Sequence, residues 1–136
     1  MQEVIMSKLE SIEKCIKRIE QKTNEKEFDL EDYDYQDIIV MNIQRACQQA
    51  IDVAMFICAE KGLGFPKDSA DAFAKLLEGK IISQEIFNRM KSMVGFRNVA
   101  IHEYQNINYE IVKAILDKHL EDFGNYNKEL IENLID

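Results

Sequence analysis

Apolar residues recur along this chain three and four positions apart, the spacing that lines one face of a helix. Between Val4 and Lys22, Ile5, Leu9, Ile12, Ile16 and Ile19 follow that rule, with lysines on the other face, and predict a first helix. From Gln36 to Lys61 the stripe Ile39, Val40, Ile43, Cys47, Ala50, Ile51, Ala54, Ile57 and Cys58 predicts a long second helix. Ala46, Ala50 and Ala54 are small enough to let a neighbouring helix approach, and Gly62, Gly64 and Pro66 supply the stop. Asp68 or Ser69 is placed to cap a shorter helix with the apolar face Ala70, Phe73, Leu76 and Leu77, ended by Gly79. Ser83 is placed to cap a fourth helix, whose stripe runs Ile86, Phe87, Met90, Met93, Val94, Ala100 and Ile101. After a polar stretch, Asn106 or Asn108 opens a fifth, with Ile111, Val112, Ile115, Leu116, His119, Leu120, Phe123, Leu130, Ile131 and Leu134. Gly124 is its weak point.

No period-two alternation persists, and there is no internal repeat. One proline and five glycines leave few breakers. The expectation is an all-α protein, an antiparallel bundle of four to five helices folded as a single domain over residues 1–136.

Composition narrows the picture. No apolar run is long enough to span a membrane, and the N-terminus lacks a signal-peptide pattern. Cys15, Cys47 and Cys58 have no metal spacing and fall in helical patterns, as core thiols of a reduced, cytoplasmic protein would. The net charge of −8 argues against broad nucleic-acid binding by bulk electrostatics. The sign is uneven, however. From Ile86 to His102 the basic residues are Arg89, Lys91 and Arg97, and there is no acidic one. The acidic run from Glu27 towards Asp37 lacks the alternating ligands and glycine of a calcium loop and reads as solvated, with tyrosines available to a partner.

The candidate chemistry lies in Phe96-Arg97-Asn98-Val99-Ala100-Ile101-His102-Glu103-Tyr104. Arg97 interrupts an apolar stripe, and burying a charge is expensive unless it is paired. No Gly-rich phosphate loop, His/Cys metal cluster or HExxH occurs, so no metal or other cofactor is expected. An arginine and a histidine suit phosphodiester chemistry without a metal: the guanidinium clamps phosphate, and the imidazole moves the proton of a ribose hydroxyl. The bland alternative pairs Arg97 with a buried carboxylate and leaves His102 as a favourable charge at a helix C-terminus. His119, inside the last apolar stripe, reads as core or interface packing. On an ideal helix residues five apart are rotated by roughly 140°, so Arg97 and His102 do not share a face. They converge only if the helix loosens or a second copy completes the site, which makes a symmetric homodimer mechanistically attractive.

The run Arg97-Asn98-Val99-Ala100-Ile101-His102 resembles the R-x4-6-H motif of the HEPN superfamily, and its extension to Tyr104 resembles the HepT toxins of HEPN/MNT (type VII) toxin–antitoxin modules. Met41-Asn42-Ile43-Gln44-Arg45-Ala46 and Met93-Val94-Gly95-Phe96-Arg97-Asn98 are similar to what that family shows. The resemblance implies a homodimeric HEPN-like bundle with both motifs lining one cleft, and metal-independent RNA cleavage as a growth-arresting toxin. It implies Arg97 and His102 as catalytic residues and Asn98 as a supporting one. It also implies Tyr104 as the site where a cognate MNT nucleotidyltransferase antitoxin attaches AMP. A second reading of the same resemblance is a non-catalytic HEPN module that partners a nucleotidyltransferase.

Overall fold

The computed structural model describes residues 1–135. The chain runs through α1 (Gln2–Thr23), α2 (Tyr33–Glu60), α3 (Ser69–Glu78) and α4 (Gln84–His102), then a 3-10 turn, Tyr104–Asn106. It continues through α5 (Tyr109–Ala114) and a π-helical turn, Ile115–His119, into α6 (Leu120–Leu134). No strand occurs among the described residues. The expected all-α antiparallel bundle is therefore the architecture. α2 packs against α1, α3 and α4, and α6 closes the other side against α1 and α4. Ile39, Ile43, Ile57, Phe73, Phe123, Tyr126 and Leu130 are fully buried between them. Burying each such side chain contributes about 1.5–3 kcal/mol. The phenol of Tyr126 also donates to the Ala50 carbonyl at 2.9 Å, so its polar end is satisfied inside the core. None of the described helices is long and apolar enough to cross a membrane.

The helix ends follow from local chemistry. The side chain of Asp32 accepts from the Asp34 amide and starts α2 three residues before the expected Gln36. The last part of the acidic run is thus helical, although its six carboxylates from Glu27 to Asp37 are all exposed. At the other end, Leu63 N–H donates to the Cys58 carbonyl and Gly62 N–H to that of Ala59. That is a Schellman closure, with Gly62 at φ +65°. α3 is capped by Asp68, whose carboxylate accepts from the Asp71 amide. It closes the same way at its far end, except that the left-handed residue is Lys80 (φ +62°), one beyond the expected Gly79. Gly79 serves packing instead, because a Cβ there would lie 3.2 Å from Leu63 Cδ2.

Two expectations about the last helix need correcting. Gly124 lies within regular α6, with open space around it. The irregularity comes earlier, at Ile115–His119, where the extra residue of a π-turn lets His119 leave the apolar stripe. His119 is not core: its Nδ1 lies 3.0 Å from the buried carboxylate of Asp122 and 3.4 Å from Arg89 of α4. Cys47 and Cys58 are buried free thiols as expected, while Cys15 is only half-buried.

Candidate active site

Ser83 starts α4 by accepting from the Ile86 amide, and its own amide and hydroxyl donate to Glu129 of α6. This anchors α4 with its apolar face on the core and Arg97 on the border facing α2. There the Arg97 guanidinium is half-buried. Its Nη2 donates to Gln48 Oε1 of α2. Its Nη1 donates to Asn98 Oδ1 at 3.2 Å. The Gln48 amide is fixed in that orientation because its Nε2 donates to Asp52 Oδ1 at 2.8 Å, one helical turn on. Nε of Arg97 is buried with no acceptor. Among the described residues no carboxylate lies within 4.0 Å of Arg97. The buried-carboxylate alternative is therefore not what the fold built. Two neutral amides hold the guanidinium, and its positive charge is left without a counter-charge in contact.

That charge reaches the neighbouring thiol. Burial pushes Cys47 up to about 12, and the Arg97 charge offsets part of the shift. Gln48 and Asp52 were missed by the sequence reading. Their i, i+4 spacing on a helix was visible, but their relation to Arg97 spans 49 positions and needs the packing of α2 on α4.

His102 is the last residue of α4, exposed, and its imidazole takes no hydrogen bond among the described residues. Asn98 lies one turn before it on the same exposed face. The helix does not loosen there. Glu103 N–H still donates to the Val99 carbonyl at 2.8 Å, so the roughly 140° between Arg97 and His102 persists. One chain therefore presents the guanidinium along the α2 seam and the imidazole at a free helix end. Gly95, on the side of Asn98, has open space where a side chain would be. Ile101, expected in the core stripe, is 39% exposed beside His102.

After Glu103 (φ −140°, ψ 48°) the chain turns, and Tyr104 folds back towards α2. Its hydroxyl donates to Asp37 Oδ1. Burial, that contact and the nearby Tyr109 all push the phenol well above its ordinary value. Tyr104 is thus tied to the end of the acidic run, while the residue remains 41% exposed.

The elements together define a small helical protein with an amide-held arginine, an exposed histidine and a partnered tyrosine on one short segment. A family model described as "Ribonuclease HepT-like" matches residues 9–130. The chain is 38% identical over 126 residues to the mRNA nuclease HepT of Shewanella oneidensis, covering 93% of this chain and 95% of that protein. It superposes with a TM-score of 0.91 on the tri-AMPylated Shewanella oneidensis HEPN toxin, solved in complex with an MNT antitoxin, at 36% identity over 97% of this chain and 99% of that one. A toxin–antitoxin structure with AMP-PNP gives 0.89 at 36% identity, over 96% and 99% of the two chains. This chain belongs to the HepT-like ribonuclease family.

Proposed function

We propose that this chain is the toxin of a HEPN/MNT module, a metal-independent ribonuclease whose site lies in the cleft between two copies. The observation that carries this reading is the Arg97 guanidinium, held by Gln48 and Asn98 and facing no carboxylate among the described residues. Such a group is ready for an anion and suits a phosphodiester better than it suits a structural ion pair. On this reading one imidazole removes the proton of the ribose 2′-hydroxyl as it attacks the adjacent phosphorus. The departing 5′-oxygen takes a proton from the imidazole of the second copy, and Arg97 offsets the charge gathering on the phosphoryl oxygens. Asn98 orients Arg97 and shares the face of His102. Two copies supply both acid and base, which the single exposed His102 of one chain does not.

Tyr104 is the proposed acceptor of AMP from the cognate nucleotidyltransferase antitoxin. Phosphates added two residues from His102 would bring negative charge and bulk to a site that receives RNA phosphate. The free thiols of Cys15, Cys47 and Cys58 suit a reducing cytoplasm.

His102→Ala tests the catalytic assignment. Because the imidazole is exposed and takes no hydrogen bond among the described residues, the variant should fold as the parent does, with an unchanged unfolding midpoint. Its cleavage of RNA should fall by about 10²–10⁴-fold. A rigorously purified variant that cuts RNA at the parental rate would remove His102 from the mechanism.

A further inference from the structure

The acidic run from Glu27 to Asp37 supplies none of the proposed cleavage groups, yet its last carboxylate makes a specific bond. Asp37 Oδ1 accepts the hydroxyl of Tyr104, from a position on α2 that lies 67 residues away in sequence. The contact depends on two local features: α2 begins early on its Asp32 cap, and the chain turns immediately after α4. The other carboxylates of the run are occupied locally or solvated. Asp29 and Asp32 accept backbone amides two residues on, and Glu27, Glu31 and Asp34 are exposed. Glu103, next to Tyr104 in the chain, is exposed as well. Among the described residues Asp37 is the only carboxylate hydrogen-bonded to the Tyr104 hydroxyl.

We propose that Asp37 is the general base for modification of Tyr104, carried by the acceptor protein itself. The inference rests on the reading of Tyr104 as the AMP acceptor. In the transfer, Tyr104 Oη forms a bond to the α-phosphorus of ATP. The bond from that phosphorus to the bridging oxygen of the β-phosphate breaks, and pyrophosphate leaves with the electron pair. The phenolic proton passes along the existing hydrogen bond to Asp37 and from there to water. A base in contact is needed because the environment of Tyr104 disfavours the free phenolate. The nucleophile must therefore lose its proton during the attack rather than before it. Once Oη is esterified the hydrogen bond is gone, and the new phosphodiester anion faces the Asp37 carboxylate. Like charges then turn the modified side chain away from α2.

Initial rates of AMP transfer from ATP to the full-length chain, with its cognate nucleotidyltransferase, read the proposal by intact mass and by locating the label. Asp37→Asn keeps an oxygen that accepts the tyrosine hydroxyl and removes the base. It should lower kcat by about 10²-fold or more while leaving KM for the toxin near the parental value. Asp37→Glu should recover part of that rate. RNA cleavage and the thermal midpoint of Asp37→Asn should stay near the parent, since the residue is exposed and is not one of the proposed cleavage groups. Transfer to Asp37→Asn at the parental rate, with the label on Tyr104, overturns the assignment of Asp37 and leaves Tyr104 as acceptor. A loss confined to KM also overturns it, since that marks a docking contact. Undiminished labelling of Tyr104→Phe overturns the acceptor reading itself, and the Asp37 proposal with it.

Discussion

Arg97 shows how a single residue separates what is legible in a sequence from what is not. Its break in the apolar stripe at 86–101 was visible as an anomaly, because a charge in that position needs a partner. The partner's identity was not visible, since Gln48 belongs to another helix and only the α2–α4 seam brings it near. The same seam governs Cys47, which is 1% exposed and lies close enough to feel the guanidinium. Folded, the thiol is held protonated up to about 12, whereas unfolded it ionises near 9.0. Its contribution to stability is therefore complete below pH 9.0 and is lost as the pH rises towards 12. The loss amounts to about 1.4 kcal/mol per pH unit for one proton. Cys47→Ala should remove that increment from the alkaline slope of the unfolding free energy, at the cost of a small cavity at neutral pH. Denaturant melts on both sides of pH 9.0 measure it. An unchanged alkaline slope would mean that the thiol is not shielded from water in the folded chain.

At the scale of elements, periodicity placed the helices and cap chemistry decided their limits. The stripes of α1, α2 and α4 are core faces with few exceptions, because a buried helix face has no alternative to being apolar. The misses fall where two residues competed for one role. The apolar stripe puts the start of α2 at Gln36 because the acidic run before it has no helical pattern, but Asp32 is the side chain that accepts the first orphan amide. Gly124 looked like the weak point of the last helix because glycine has poor propensity, yet the regular ladder passes through it. The insertion of one residue near His119 carries no compositional signal. The end of α3 offers a direct test. Gly79 takes an ordinary φ of −77° while Lys80 bears the left-handed conformation at +62°. A side chain costs about 1–2 kcal/mol in that region, part of which glycine gives back through its freer unfolded chain. Lys80→Gly should therefore raise stability by about 0.5–1 kcal/mol. Gly79→Ala should lower it, since the new methyl meets Leu63. Paired thermal melts distinguish the two: destabilisation by Lys80→Gly would show that the left-handed position has been assigned to the wrong residue, whereas stabilisation by Gly79→Ala would show that Leu63 yields to the new methyl.

At the scale of the whole molecule the difficulty is that one chain holds every candidate group and still does not assemble a site. Seen alone, α4 keeps Arg97 against α2 and His102 at its free end, on faces that a regular helix cannot merge. The chain also carries a charge of −8, so RNA gains little from its general surface, and the stretch from Ile86 to His102 has basic residues and no acidic one. A two-fold axis that sets one α4 near another would double that stretch and bring the imidazole of each copy towards the guanidinium of the other. Mixing tests this without any structure of the dimer. Arg97→Ala and His102→Ala should each be inactive alone. Co-refolded in equal amounts, half of the dimers are mixed, and each mixed dimer retains one intact arginine and one intact histidine on opposite copies. Cleavage should return to at most about a quarter of the parental rate, and to far less than that because the mixed dimer lacks the second imidazole of the proposed acid–base pair. Recovery at any level means that the two residues act across the axis. Two pure variants that stay silent at every mixing ratio, while exchanging subunits by native mass spectrometry, would mean either that the reaction needs both imidazoles, as in the proposed mechanism, or that each chain works with its own pair. In the second case the helix would have to open near His102 when RNA binds.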